Sequence, residues 1–167
     1  MNISENCQNY NQMSTLVCFT DGACFNNGKK TAKASFAVVW PDLPEYNYSQ
    51  LLEGVTQTNN RAEYSGFIKA FQIADIIDSN REKELIVYTD SMLLINSVTK
   101  WMKNWKKKDW KKSNGEIVLN IDLLKTIDFL TQTRKFAMHH VRAHTKNTDW
   151  MSLNNKKVDE LAKKALM

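Results

Sequence analysis

Apolar and polar positions along this chain follow two rhythms, short β-rich runs and longer stretches with a helical period. Thr15-Leu16-Val17-Cys18-Phe19-Thr20-Asp21-Gly22 is an apolar, β-branched run that stops at an acid, the pattern of a buried strand. Asn26-Asn27-Gly28-Lys29-Lys30 follows, and Asn-Gly is a strong hairpin signal. Ala34 to Trp40 reads as a second strand with Phe36, Val38 and Trp40 on one face. After a loop from Pro41 to Pro44, Tyr46 to Val55 reads as a third strand, bulged at Gly54.

The period then lengthens. Tyr64, Phe67, Ile68, Phe71 and Ala74 recur at helical spacing behind Thr58-Asn59-Asn60-Arg61-Ala62-Glu63. Residues 84–90 form a fourth strand, which again ends in Thr89-Asp90. Met92, Leu93, Ile95 and Val98 begin a helix that runs on through Trp101 and Trp105 until Asn114-Gly115 breaks it. Ile117 to Leu130 reads as another amphipathic helix, with Val118, Ile121, Leu124 and Leu130 facing inward. Lys135 to Val141 is a last strand that continues through Arg142 to His144, and Asn155 to Leu166 is a closing helix on Val158, Leu161, Ala162 and Ala165. Antiparallel hairpins followed by crossovers predict an α/β fold: a mixed five-stranded sheet, three antiparallel strands and then parallel ones, with helices on both faces.

Composition narrows the class. With 167 residues the chain is long enough to bury one core without staples. Its three cysteines, Cys7, Cys18 and Cys24, lack metal-ligand spacing and require no disulfide, which predicts a reducing, intracellular setting, cytoplasmic or nuclear rather than secreted. No apolar run approaches membrane-span length, and residues 1–14 read as a polar tail ahead of one domain over 15–167. The net charge of +5 is concentrated: residues 100–112 carry seven lysines against Asp109, while the remainder is close to neutral. Such a footprint suits a polyanionic partner.

Chemistry is expected at the carboxyl ends of the strands, where Asp21 and Asp90 fall. Glu63 is ambiguous, because Asn60 followed three residues later by Glu63 is also the spacing of a helix capping pair. Asp21-Gly22, Asn59-Asn60-Arg61-Ala62-Glu63, Thr89-Asp90-Ser91 and Asn155-Lys156-Lys157-Val158-Asp159-Glu160-Leu161-Ala162 occur in that order. Together they resemble the type 1 ribonuclease H family, which cuts the RNA strand of RNA–DNA hybrids, over about residues 15–165. The resemblance implies a ribonuclease H-like fold acting as a monomeric catalytic domain. It also implies that Asp21, Glu63, Asp90 and Asp159 hold two Mg²⁺ ions, with Mn²⁺ a possible substitute. Independently, four acids brought together would repel and shift one another's pKa values unless cations neutralised them. His144, in Val141-Arg142-Ala143-His144-Thr145-Lys146-Asn147, matches the family's mobile loop histidine, whereas His139 and His140 read as packing or surface residues.

The lysine-rich segment resembles the basic protrusion, or handle, of many type 1 enzymes. Lysines attract phosphates without reading sequence, so Lys106 and Lys107 are candidate substrate contacts, and by analogy Trp101, Trp105 and Ser113 line a channel for the DNA strand. Thr58 and Asn120 match members of a DNA-phosphate pocket, in which Thr56 replaces the arginine of some relatives. Asn27 and Asn59 match minor-groove contacts, and Met92 stands where many relatives have glutamine. A non-catalytic hybrid-binding module and a DNA-cutting nuclease on the same scaffold are the competing readings.

Overall fold

A computed structural model describes residues 14–167; the expected polar tail, but for Ser14, and Cys7 lie outside the described residues. The strands are β1 (Thr15–Phe25), β2 (Lys33–Val39), β3 (Tyr48–Leu51), β4 (Glu84–Thr89) and β5 (Phe136–His140). They form one mixed sheet in the order β3-β2-β1-β4-β5. β1 pairs antiparallel with β2, as β2 does with β3, whereas the β1–β4 and β4–β5 pairs are parallel. The expected architecture therefore stands. β1 and β4 are neighbours in it, but only β4 ends at its Thr-Asp pair; Thr20 and Asp21 lie inside β1, which continues past Gly22 to Phe25 because its second half pairs with β2.

Both sheet faces are covered, which explains why β1 and β2 are apolar nearly throughout. On one face α1 (Asn59–Ile77) packs Phe67 and Phe71 onto Leu16, Cys18, Val38 and Trp40. On the other, α5 (Trp150–Ala165) packs Val158 and Ala162 onto Phe19, Ala37 and Val39. Burying a large apolar side chain contributes roughly 1.5–3 kcal/mol, so the two layers lock the strand ends in position.

Element ends moved where local chemistry overrode the apolar pattern. The third strand is only Tyr48–Leu51, because Pro44 starts a 3₁₀ turn over Pro44–Tyr46 and Gly54, at φ +89°, lies in a loop instead of a bulge. The helix after β4 is interrupted: α2 (Met92–Asn96) passes through a π-type turn, Ser97–Trp101, into α3 (Met102–Lys107). Left-handed Asp109 and Trp110 end it, earlier than expected, while Asn114-Gly115 turns a small hairpin bridged at Lys111 and Ile117. α4 (Ile121–Thr131) starts four residues late, after left-handed Asn120, and α5 starts five residues early, where Asp149 caps it by accepting from Ser152 N–H. Among the described residues no helix is long and apolar enough to cross a membrane.

Candidate active site and nucleic-acid interface

Gly22 explains how the first two acids meet. A Cβ on Gly22 would lie 2.7 Å from the Glu63 backbone nitrogen and 2.9 Å from Ala62, so only glycine lets the start of α1 press against β1. That approach sets Glu63 beside Asp21, whose Oδ1 accepts from the Gly22 N–H at 2.9 Å. The capping alternative for Glu63 fails: Thr58, not Asn60, caps α1 by accepting from Arg61 N–H, and Glu63 is buried. Asp90 enters from the end of β4. Asp21, Glu63 and Asp90 each offer an oxygen within 4.8 Å of the others.

Three carboxylates this close are electrostatically unfinished. Both Asp21 and Glu63 are held well above the ordinary carboxylate range, first by burial and then by the neighbouring acids. Oε2 of Glu63 is buried without a hydrogen-bond partner, an expensive condition for a charged oxygen. A hard divalent cation with oxygen ligands is the group that such a donor set fits. Asp159 lines the same cleft from α5, but its Oδ2 takes an ion pair from Lys163 Nζ at 2.8 Å instead of joining the three-oxygen cluster.

His144 is exposed, sits at φ +52° after β5, and lines the cleft with Asp90, Asp159 and Lys163. Asn59 and the exposed Phe25 line the same cleft. Asn155 had no assigned role, yet its amide donates to Asp90 Oδ2 at 3.2 Å from a buried position. Asn155 and Lys163 lie four residues to either side of Asp159, a helical spacing that places all three on one face.

A second cavity, about 340 Å³, is lined by Asn27, Gly28, Thr56, Thr58, Asn60, Leu119 and Asn120. The structure thus joins Asn27, Thr58 and Asn120, which are far apart in the chain. A third cavity, also about 340 Å³, brings Trp101, Trp105 and Ser113 together with Lys108, Lys111 and Lys112. Trp101 and Trp105 lie 5.9 Å apart between ring centres. Lys106 and Lys107 do not line that cavity, and the ammonium of Lys106 is engaged by Asp128 at 2.9 Å, tying α3 to α4. Met92 is exposed at the start of α2, and its thioether supplies no donor.

Comparison with known proteins agrees with this geometry. The chain is 35% identical over 148 residues to human ribonuclease H1, covering 89% of this chain and 49% of the relative. Mouse ribonuclease H1 is similar, at 34% over 149 residues, 89% of this chain and 49% of the relative. The chain thus spans about half the length of these mammalian relatives. It spans 95% of a Maricaulis maris ribonuclease H, to which it is 32% identical over 157 residues, 92% of the chain. Among solved structures, a foamy viral protease–reverse transcriptase in complex with double-stranded DNA superposes with a TM-score of 0.72 at 21% identity, covering 90% of this chain and 93% of that one. LC9-RNase H1 does so at 0.65 and 22%, covering 90% and 72%. The profile of the RNase H family matches residues 13–167, so the chain that carries this acid cluster on this sheet belongs to the RNase H family.

Proposed function

We propose that the chain is an endonuclease that hydrolyses the RNA strand of RNA–DNA hybrids, using two Mg²⁺ ions for which Mn²⁺ can substitute, and leaving 5′-phosphate and 3′-hydroxyl ends. It works as a monomer in a reducing intracellular compartment. The observation that carries this reading is the convergence of Asp21, Glu63 and Asp90 within 4.8 Å, with one buried Glu63 oxygen unsatisfied, in a chain of this family. A foamy viral protease–reverse transcriptase with the same fold, at a TM-score of 0.65 and 19% identity, was solved with an RNA/DNA hybrid.

Asp21, Glu63 and Asp90 would hold one ion, and Asp159, which lines the same cleft, would help to hold the other. When bound, the pair would supply Lewis-acid chemistry toward the attacking water and the leaving oxygen of an in-line phosphoryl displacement. The chain's own residues prepare that chemistry. The Gly22 N–H and the Asn155 amide orient the Asp21 and Asp90 carboxylates, and the pairing of β1 with β4 keeps their backbones on neighbouring strands. His144, exposed at the cleft mouth, moves a proton between product oxygen and solvent. Asn59 lines the cleft, where a wide, shallow hybrid minor groove presents 2′-hydroxyls; Asn27, the other expected groove contact, accepts from the Asn59 N–H and lines the neighbouring cavity. Thr58 and Asn120, with Asn27 on the same cavity, hold a DNA-strand phosphate, while Trp101 and Trp105 pack against the DNA sugars and Ser113 lines the same channel. Lys107, with Lys106 in support, attracts the backbone.

The test is incubation with labelled hybrid, duplex RNA and duplex DNA, with and without Mg²⁺. The expected product is cut RNA from the hybrid alone, only with Mg²⁺, carrying 5′-phosphate ends. Comparable cutting of duplex DNA, or hybrid binding with no product at any metal concentration, would overturn the assignment.

A further inference from the structure

The cavity between the β1–β2 turn and the starts of α1 and α4 has an unusual polarity. Each of its three principal polar side chains has its acceptor oxygen already engaged inside the protein. Asn27 Oδ1 accepts from the Asn59 N–H at 3.2 Å, and Thr58 Oγ1 accepts from the Arg61 N–H at 3.2 Å. Asn120 Oδ1 accepts from Arg61 Nη1 at 3.3 Å. A backbone N–H and a guanidinium can only donate, so the network itself fixes both amide orientations. Two NH₂ groups and one hydroxyl hydrogen remain for a ligand, and the cavity presents donors without a cation in its lining.

Two of these three orientations trace to Arg61. Its backbone N–H engages Thr58, and its side chain holds Asn120, which sits at φ +62° where a non-glycine residue needs support. The guanidinium is in turn clamped by both carboxylate oxygens of Asp122, at 2.9 and 2.8 Å. That bidentate fork cancels the charge of Arg61 while fixing its plane. Its side chain does not line this cavity but a separate groove, with Ser65, Lys69 and Leu123.

We propose that Arg61, held by Asp122, is a positioning residue that turns the Asn120 amide so that this cavity binds one backbone phosphate of the DNA strand through neutral donors. The proposal rests on the hybrid-cutting function above. It accounts for a phosphate pocket that works with Thr56 in place of a cationic side chain. It also separates two ways of holding the hybrid: geometry here, and bulk charge on the handle.

The test pairs protein variants with hybrids in which single DNA-strand phosphates are replaced, one at a time, by uncharged methylphosphonates. In the native protein, one position in the scan is expected to raise KM by about tenfold, the worth of a charge-assisted hydrogen bond or more. R61Q is expected to raise KM on unmodified hybrid by a similar factor with kcat held within about twofold, and to erase that position from the scan. R61K keeps the charge but lacks the fork, and should behave like R61Q; D122N, which loosens the clamp, should fall between. Melting curves accompany each variant. A folded R61Q or R61K that keeps the same sensitive position at the same ratio would overturn the proposal, as would a native scan with no sensitive position. Absence of hybrid cleavage by the native protein would instead overturn the function on which it rests.

Discussion

Among the described residues two places bury charge, and they are completed in opposite ways. Arg134 has a fully buried side chain whose Nη1 and Nη2 donate to Asp78 Oδ2 at 2.6 Å, Asp75 Oδ1 at 3.1 Å and the carbonyls of Lys83, Ala74 and Asp78. Burial alone would raise Asp78, but the Lys83 N–H and Arg134 outweigh it and hold the carboxyl below its ordinary range. In the acid cleft, burial raises both Asp21 and Glu63, Glu63 and Asp90 raise Asp21 further, and Asp90 raises Glu63 against the lowering hydrogen bonds from Asp21 and Gly22. Among the described residues no protein cation enters the three-oxygen cluster. A cluster completed by protein groups is a structural brace; one left short of positive charge is built for something that arrives later.

The largest expected effect follows from removing part of the cluster. D21N or D90N should lower hybrid cleavage by at least about a thousandfold, the scale of losing a principal electrostatic element of a site. Without divalent cation, D21N should nevertheless melt higher than the native chain, because it relieves the repulsion. Lower melting of D21N under those conditions would erase the contrast between the two clusters.

The brace should respond in the opposite sense. D78A leaves Arg134 with only Asp75 and carbonyls, and should cost about 3 kcal/mol in denaturant unfolding. Loss below about 1 kcal/mol would show that the brace is not completed by Asp78.

Their pH dependences should also run in opposite directions. Asp75 and Asp78 have lowered pKa values, so their contribution is present above the ordinary carboxylate range and is lost as pH falls through the folded values. Asp21 and Glu63 are raised, so the folded state binds more protons than the unfolded one above the ordinary carboxylate range. Without divalent cation, their term makes stability fall as pH rises through that window toward the raised values. Mg²⁺ should flatten that alkaline decline and leave the acid side unchanged, which melting curves across pH would reveal.

The smallest effect is expected on the handle. K107A with K108A should reduce the salt slope of hybrid binding by up to about two counterions, with kcat nearly intact. K106A should change it less, because Asp128 already engages that ammonium. An equal slope change for all three would contradict the distinction.

The two strand-borne acids were visible in the sequence because an apolar run that stops at Asp needs no tertiary information. Glu63 was ambiguous because helix capping and cluster membership share one spacing; the choice is made by the approach of α1 to Gly22, a fact of packing. Arg134 and Asp78 are separated by 56 residues and no local rhythm joins them. Arg61 and Lys163 were in plain view, but what they engage depends on which helix starts meet. Asp159 lines the cleft but stands outside the three-oxygen cluster, and its pairing with Lys163 places a tethered cation beside the fourth acid, a relation that helical spacing allowed but did not compel.

The most direct measurement is anomalous scattering from crystals of the protein soaked in Mn²⁺, alone and with a cleavage-resistant hybrid. The expected result is a peak bounded by oxygens of Asp21, Glu63 and Asp90, joined by a second beside Asp159 when the hybrid is present. An empty cluster at saturating Mn²⁺, or metal bound only elsewhere on the surface, would contradict the account.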